Sequence, residues 1–199
     1  MMPRLALLFV LVLAVAGCKE EAASVKPAPV QLTLEAAGHY CQMTVLEHDG
    51  PKAQIHLAGN SHPFWFTQVR DAVAFTRLPE EPKDYVAIYV NDMAKAESWA
   101  QPGTANWIDA EAAWFVIGSR QLGGMGAPEA IPFGTRAAAD AFVSENGGAV
   151  VRFGEIPSEY VLAPVDSGNP GAPMSRSEPA GGGHATGMHH AAYAGEVKP

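Results

Sequence analysis

A cysteine and a methionine two positions apart are the residues of this sequence with the most distinctive chemistry. Cys41 and Met43 lie in the segment His39-Tyr40-Cys41-Gln42-Met43. On a β-strand, residues i and i+2 point to one face, and a rise of about 3.3 Å per residue places these two positions about 7 Å apart. A thiolate and a thioether are soft ligands, which favour Cu(I) over Zn²⁺, Mg²⁺ or Mn²⁺. The motif predicts either a soft-metal site or a buried cysteine beside a core methionine.

Further sulfur and imidazole groups could complete such a site. Met125 lies in the glycine-rich segment 123–126, where it is either a third soft ligand or a gap-filling side chain at the surface. The imidazoles of His39, His48 and His56 are additional candidates. We expect His48 in a solvent-exposed turn, and His56 on a strand, facing away from its two apolar neighbours.

The C-terminal tail, residues 165–199, carries a second group of candidate metal ligands. They are His184, Met188, His189 and His190. Histidine-rich segments often bind metals, so this group either binds copper weakly or belongs to a polar tail without a function of its own. Because the tail is rich in Gly, Pro, Ser and Ala and almost lacks large apolar residues, we expect it to be disordered.

Composition limits the class of protein. The chain has 199 residues, of which 48% are apolar and 17% charged, as in a folded protein of one domain or two small ones. Its net charge of −8 argues against nucleic acid as a partner, because nucleic acid requires a basic surface. The composition also excludes a coiled coil, a multispanning membrane protein and, with two cysteines, a disulfide scaffold.

The N-terminus has the pattern of a targeting signal. Arg4 precedes an apolar run from Leu5 to Ala16, which is too short to span a bilayer. The run ends in Val15-Ala16-Gly17-Cys18, which resembles a bacterial lipobox. Residues 1–17 are then a signal peptide and Cys18 is acylated; an ordinary secretory signal or an uncleaved anchor is the alternative. Lys19 follows the anchor, where Asp would indicate inner-membrane retention, so the outer membrane is favoured.

Lipidation of Cys18 would leave Cys41 as the free thiol, and two functions other than metal binding then follow. In a thiol enzyme, Cys41 would be the nucleophile and His39 or His56 its base. In a structural or adaptor lipoprotein, the sulfur residues would be incidental. Trp99, Trp107 and Trp114 would then form an aromatic surface that contacts a partner, unless these residues belong to the core.

The apolar patterns predict an α+β fold of two similar ββαβ modules. Residues 18–36 form the anchor and tether, 37–92 the first module, 93–164 the second, and 165–199 the disordered tail. The predicted elements of the first module are strands Tyr40–Glu47 and Ala53–Leu57, helix Gln68–Leu78 capped by Thr67, and strand Tyr85–Val90. Those of the second are strands Ala113–Ile117 and Ala130–Phe133, helix Arg136–Glu145 between caps Thr135 and Gly147, and strand Ala149–Phe153. This alignment places Met43 and Met125 in comparable positions, ahead of the second strand of each module.

The combination of these motifs resembles the NosL family, accessory lipoproteins of nitrous oxide reductase maturation. The resemblance covers roughly residues 37 to 163. It depends on the order of the following motifs: the lipobox ending at Cys18, Cys41-Gln42-Met43, Ala53-Gln54-Ile55, Trp107-Ile108-Asp109-Ala110, Ala113-Trp114-Phe115-Val116, Gly118-Ser119, Met125-Gly126 and Gly147-Gly148-Ala149-Val150-Val151-Arg152-Phe153.

The resemblance implies a periplasmic Cu(I) chaperone rather than an enzyme. It implies nitrous oxide reductase, chiefly its copper-sulfide cluster, and the maturation machinery of that enzyme as partners. Separately from the resemblance, the N-terminal lipid would contact the membrane, and two exposed soft faces could share one copper ion between two copies of the chain. The resemblance also implies Cys41, Met43 and Met125 as ligands and a fold distantly similar to a domain of organomercury lyase. This chain departs from many relatives in having His39 and Tyr40 where they carry another cysteine, and from some in having Ala127 where they carry a histidine.

Overall fold

Two antiparallel sheets form the framework of the protein. The computed structural model describes residues 26–165. Their elements are β1 (Ala53–Leu57), β2 (Phe64–Phe66), α1 (Val69–Arg77), β3 (Tyr85–Asn91), β4 (Trp107–Asp109), β5 (Trp114–Ile117), β6 (Ile131–Phe133), α2 (Arg136–Asn146), β7 (Ala149–Arg152) and α3 (Ser158–Leu162). Short 3₁₀ helices lie at Val45–Glu47 and Phe153–Glu155.

The two sheets repeat one topology. The first has the strand order β2-β1-β3-β4 and the second β6-β5-β7. In each, the first strand of a ββαβ unit lies between the second and the last, and the helix connects the second strand to the last. This repetition confirms the α+β fold of two similar modules. The tail lies outside the described residues.

The predicted strand over Tyr40–Glu47 is wrong. Gln42 has a φ of 56°, a left-handed conformation that interrupts an extended strand, and residues Val45–Glu47 form a 3₁₀ helix. The true second strand of the first module is Phe64–Phe66, a three-residue strand that was not predicted from the sequence. The predicted equivalence of the two methionines is therefore also wrong, since Met43 precedes the first strand of its module and Met125 the second.

The helices lie close to their predicted positions, but only one has its predicted cap. The hydroxyl of Thr135 accepts the backbone N–H of Ala138 at the start of α2, and Gly147 ends that helix with a φ of 72°. The N-cap residue of α1 is Gln68, whose side chain makes no cap hydrogen bond. Thr67 is thus not a cap.

One hydrophobic cluster joins both modules. Its side chains come from the first sheet and α1 (Ile55, Val73, Phe75), from β5 (Phe115) and from α3 (Val161), all at most 4% exposed. Two smaller clusters flank it. The tryptophans of the predicted aromatic surface pack against these smaller clusters: Trp99 and Trp114 on the second, Trp107 on the third.

The C-terminal part of the predicted tether packs against the first sheet. The Tyr89 hydroxyl donates to the carbonyl of Pro27 at 2.6 Å, and the Gln54 amide makes two hydrogen bonds with the backbone of Val30. Leu32 is 3% exposed. Within residues 26–165, none of the helices combines the length and apolar character that crossing a bilayer requires.

Candidate metal centre

A closed loop over residues 37–44, the Cys41 loop, presents the cysteine at the edge of the first module. The N–H of Gly38 donates to the carbonyl of Met43 at 2.9 Å, and the N–H of Gln42 donates to the carbonyl of Gly38 at 2.8 Å. The Gln42 amide group also donates to the carbonyl of His39 at 2.7 Å. These bonds set the backbone on both sides of Cys41.

Thr67 brings Cys41 and Met125 together. Its hydroxyl oxygen lies 3.7 Å from the Cys41 Sγ and donates to the Met125 Sδ at 3.4 Å. Both distances are measured from the same oxygen atom. The Cys41 Sγ and the Met125 Sδ therefore lie no further apart than the sum of the two distances. Thr67 itself is 2% exposed. From the sequence this residue is predicted as a helix cap, and no local signal distinguishes the two roles.

The residues that carry the sulfur groups are partly exposed to solvent. Cys41 is half-buried, whereas Met43 and Met125 are each 41% exposed. We call these three residues the sulfur site. Met43 follows two residues after the cysteine on the same loop, and its unbranched side chain can adopt several rotamers. A soft ion held here could therefore arrive and leave by exchange of ligands at the surface.

The Met125 loop, residues 123–127, belongs to the second module but is seated on the first. It closes on itself through the N–H of Gly123, which donates to the carbonyl of Ala127 at 2.8 Å. A Cβ on Gly124 would lie 2.3 Å from the Asp49 carbonyl oxygen, so only glycine permits this approach. The backbone N–H of Met125 donates to the Gln68 side chain at 3.4 Å.

Buried Lys52 supports the loops around the sulfur site. It is 1% exposed, and its Nζ donates to the carbonyls of His48 (2.5 Å), Asp49 (2.9 Å) and Thr67 (3.3 Å). Loss of water around the ammonium group lowers the pKa of Lys52 to about 8. Lys52 was not among the predicted functional residues, because a lysine in a sequence usually indicates surface.

The structure places His39 and Tyr40 against aromatic residues and a carboxylate. The His39 ring stacks on Phe64 with centroids 4.5 Å apart, and its Nε2 lies 3.9 Å from Glu81. The Tyr40 hydroxyl donates to Glu81 at 2.9 Å; burial, followed by this bond, raises the pKa of Tyr40. His39 as an additional ligand stays a prediction.

The other two imidazoles have contacts of their own. The Nδ1 of His48 lies 3.1 Å from the Thr44 carbonyl oxygen. His56 is 6% exposed, its Nε2 lies 2.8 Å from the Gln54 side chain, and burial lowers its pKa. The remaining candidates, Cys18, His184, Met188, His189 and His190, lie outside the described residues.

The donor set suits a soft ion. Among residues 26–165 there is no group of three or more His, Cys, Asp and Glu side chains placed to hold a metal. Cys41, Met43 and Met125 offer thiol and thioether sulfur, which are ligands for Cu(I) rather than for a hard cation.

Comparison with known proteins identifies the family. A family model described as NosL matches residues 29–161, the range that contains every strand of both modules and the sulfur site. The chain belongs to the NosL family.

Named relatives of this NosL chain are copper proteins. It is 50% identical over 171 residues to the copper-binding lipoprotein NosL of Achromobacter cycloclastes, a match that covers 83% of this chain and 88% of the relative. It is 32% identical over 119 residues to the copper-binding lipoprotein NosL of Stutzerimonas stutzeri, covering 59% and 60%. The crystal structure of the copper chaperone NosL from Shewanella denitrificans matches with a TM-score of 0.60 and 33% identity, over 66% of this chain and 96% of that one.

Proposed function

We propose that this NosL chain is a copper chaperone that carries Cu(I) at the sulfur site. The observation that carries the proposal is the meeting of Cys41 and Met125 on the hydroxyl of Thr67, from loops of different modules. In this proposal, the Cys41 thiolate is the strongest ligand, and the thioethers of Met43 and Met125 complete a coordination of low number. The relatives named as copper-binding proteins support copper as the cargo.

Exposure of the site supports transfer rather than storage. Since both methionines are 41% exposed, a ligand of another protein can approach the copper before the thiolate leaves it. We propose nitrous oxide reductase as the recipient, with its copper-sulfide cluster as the destination, because the sequence motifs resemble the accessory proteins of that enzyme. Acylation of Cys18 would hold the chaperone on the periplasmic side of the outer membrane; the relatives named as lipoproteins support the anchor.

An anaerobic competition titration with a chromophoric Cu(I) chelator tests the binding site. With the reduced full chain, we expect Cys41→Ser to lose at least a hundredfold in affinity and Met125→Leu about tenfold, which is about 1.4 kcal/mol. Leucine preserves the volume of methionine without its sulfur. Met93→Leu, in the second hydrophobic cluster, is the matched control and should bind like the parent.

Two results would contradict this assignment. Cu(I) affinity that survives Cys41→Ser would place the copper elsewhere in the chain. An unfolded Cys41→Ser protein, detected by circular dichroism, would make the cysteine a core residue instead. Delivery is tested separately, by mixing the copper-loaded chaperone with copper-free nitrous oxide reductase and measuring the copper content of each after separation.

A further inference from the structure

The first turn of α1 is capped by a residue of the other module. Gln68, its own N-cap residue, makes no side-chain cap bond. Instead, the carboxyl Oε1 of Glu129 accepts the backbone N–H of Arg70 at 2.7 Å and that of Ala130 at 2.8 Å. An unpaired N–H at a helix N-terminus requires such a partner, and here the partner is 59 residues away in sequence.

The same carboxyl group reaches the Met125 loop. A Cβ on Gly123 would lie 2.8 Å from the Glu129 Oε2 and 2.5 Å from the Gln68 Oε1, so both side chains lie directly against this glycine. That Oε2 has no hydrogen-bond partner among the described residues, although Glu129 is 1% exposed. A buried polar atom without a hydrogen-bond partner lowers the stability of the folded protein. A buried glutamate at position 129 therefore requires an explanation.

The backbone of Glu129 is itself fixed. Its carbonyl accepts the hydroxyl of Tyr160 at 2.9 Å, and that hydroxyl in turn accepts the N–H of Gly118 at 3.0 Å. The Arg70 guanidinium donates to the neighbouring Pro128 carbonyl at 3.5 Å. Glu129 thus lies between α1, which begins two residues after Thr67, and the loop that carries Met125.

We propose that Glu129 is a positioning residue for copper: by capping α1 from the second module, it holds Thr67 and the Met125 loop in the arrangement that brings the sulfur atoms together. Two halves of the sulfur site belong to different modules, so their relative position depends on bonds between modules. The hydrogen bond from the Arg70 N–H to the Glu129 carboxyl is such a bond, and Glu129 lies four residues after Met125. This inference rests on the proposed function, and it concerns a residue that does not touch the ion.

Variants at position 129 test the proposal in the full chain. We expect Glu129→Ala to lower the Cu(I) affinity about ten- to a hundredfold, as is typical when a residue that supports a metal ligand is removed. Glu129→Gln keeps an oxygen that can accept both N–H bonds, and should bind within about threefold of the parent. X-ray absorption of the copper-loaded proteins should show one sulfur neighbour fewer in Glu129→Ala, because Met125 is released while Cys41 remains.

Asp92→Ala is the matched control. Asp92 is 2% exposed, and its Oδ1 accepts two backbone N–H groups, those of Ala94 and Gly134, outside the loops of the sulfur site. Its removal should lower the melting temperature as Glu129→Ala does, while the copper affinity and the sulfur count stay unchanged. If Glu129→Ala fails to fold, Gly123→Ala perturbs the same contact between Glu129 and the Met125 loop. Its Cβ pushes the Met125 loop away from Gln68 and should also lower the Cu(I) affinity.

The outcomes separate the two proposals. If Cys41→Ser loses copper while Glu129→Ala and Gly123→Ala both bind as tightly as the parent, with the same sulfur count, the positioning role is wrong and the copper site stands. If Asp92→Ala weakens copper binding as much as Glu129→Ala, the effect is one of general stability and the positioning role is also wrong. If Cys41→Ser keeps its affinity, the proposed function itself fails.

Discussion

At the scale of single residues, the placement of the Cys41 thiol depends on the absence of a side chain at position 38. A Cβ on Gly38 would lie 2.6 Å from the Cys41 Sγ and 3.2 Å from a methyl carbon of Thr67. The Cys41 thiol and the Thr67 methyl group therefore pack against the backbone of Gly38, in the space that a Cβ would occupy. A glycine here is required by space rather than by backbone conformation.

We expect Gly38→Ala to destabilise the protein by about 1–3 kcal/mol and to lower its Cu(I) affinity, because the new methyl group displaces the thiol from Thr67. Denaturant unfolding and the chelator titration measure the two effects. Gly154→Ala is the control, since a Cβ at that position would meet no atom within 4 Å. Equal affinities of Gly38→Ala and the parent would mean that the thiol is not held where the structure places it.

At the scale of elements, α1 and the Met125 loop depend on one buried carboxyl group. Burial is the largest influence on Glu129 and raises its pKa from 4.5 to about 8. Its two N–H bonds and Lys52 act in the opposite direction without cancelling this effect. The cap of α1 is therefore linked to pH, in contrast to the Thr135 cap of α2, which does not titrate.

Glu129 should make the stability of the protein fall as the pH rises from about 5 to 7.5. Between pH 4.5 and 8 the folded protein keeps the Glu129 proton that the unfolded chain has released, so folding takes up a proton. The slope from this group is at most about 1.4 kcal/mol per pH unit. Urea unfolding at several pH values should show the parent losing stability relative to Glu129→Gln, which has no such proton.

A stability difference between the two proteins that stays constant over this pH range would show that Glu129 has an ordinary pKa in the folded state. The range ends below pH 8 because of Lys52. Burial lowers the pKa of Lys52 to about 8, so above that value Lys52 makes the stability of the protein rise with pH. Its folded pKa lies below the unfolded value of 10.5, so its contribution to stability rises with pH between 8 and 10.5.

At the scale of the whole molecule, the folded modules and the tail carry separate candidate ligands. The three residues of the sulfur site lie within residues 26–165, whereas His184, Met188, His189 and His190 belong to the tail. A chain ending at residue 165 should keep the tight Cu(I) site and its melting temperature, and should lose only weak additional binding. Titration of this shortened chain beside the full chain measures both.

Cys41→Ser in the full chain is the complementary variant, because it keeps the tail and removes the thiolate. Loss of tight binding on shortening, with its retention in Cys41→Ser, would make the tail the copper site. In a copper-linked dimer, the exposed sulfur sites of two copies share one ion. Sedimentation with and without one equivalent of Cu(I) tests this arrangement, because the mass doubles when the dimer forms.

Local patterns were sufficient for most of the framework. Alternating and helical apolar positions predicted β1, β3, β5 and both long helices within a few residues, and a threonine and a glycine predicted the ends of α2. The types of candidate ligand were also visible in the sequence, because sulfur chemistry depends on the side chain and not on its surroundings. The family followed from the order of the motifs.

The geometry of the sulfur site required contacts that no local pattern contains. Thr67 meets Cys41 and Met125 across 26 and 58 residues of sequence, and Glu129 caps α1 across 59. The sequence predicted a strand over Tyr40–Glu47, yet a left-handed Gln42 interrupts it and closes the Cys41 loop as a turn. Side-chain chemistry and repeating periods are local properties, which a sequence displays directly; the distance between two loops of different modules is set by the packing of everything between them.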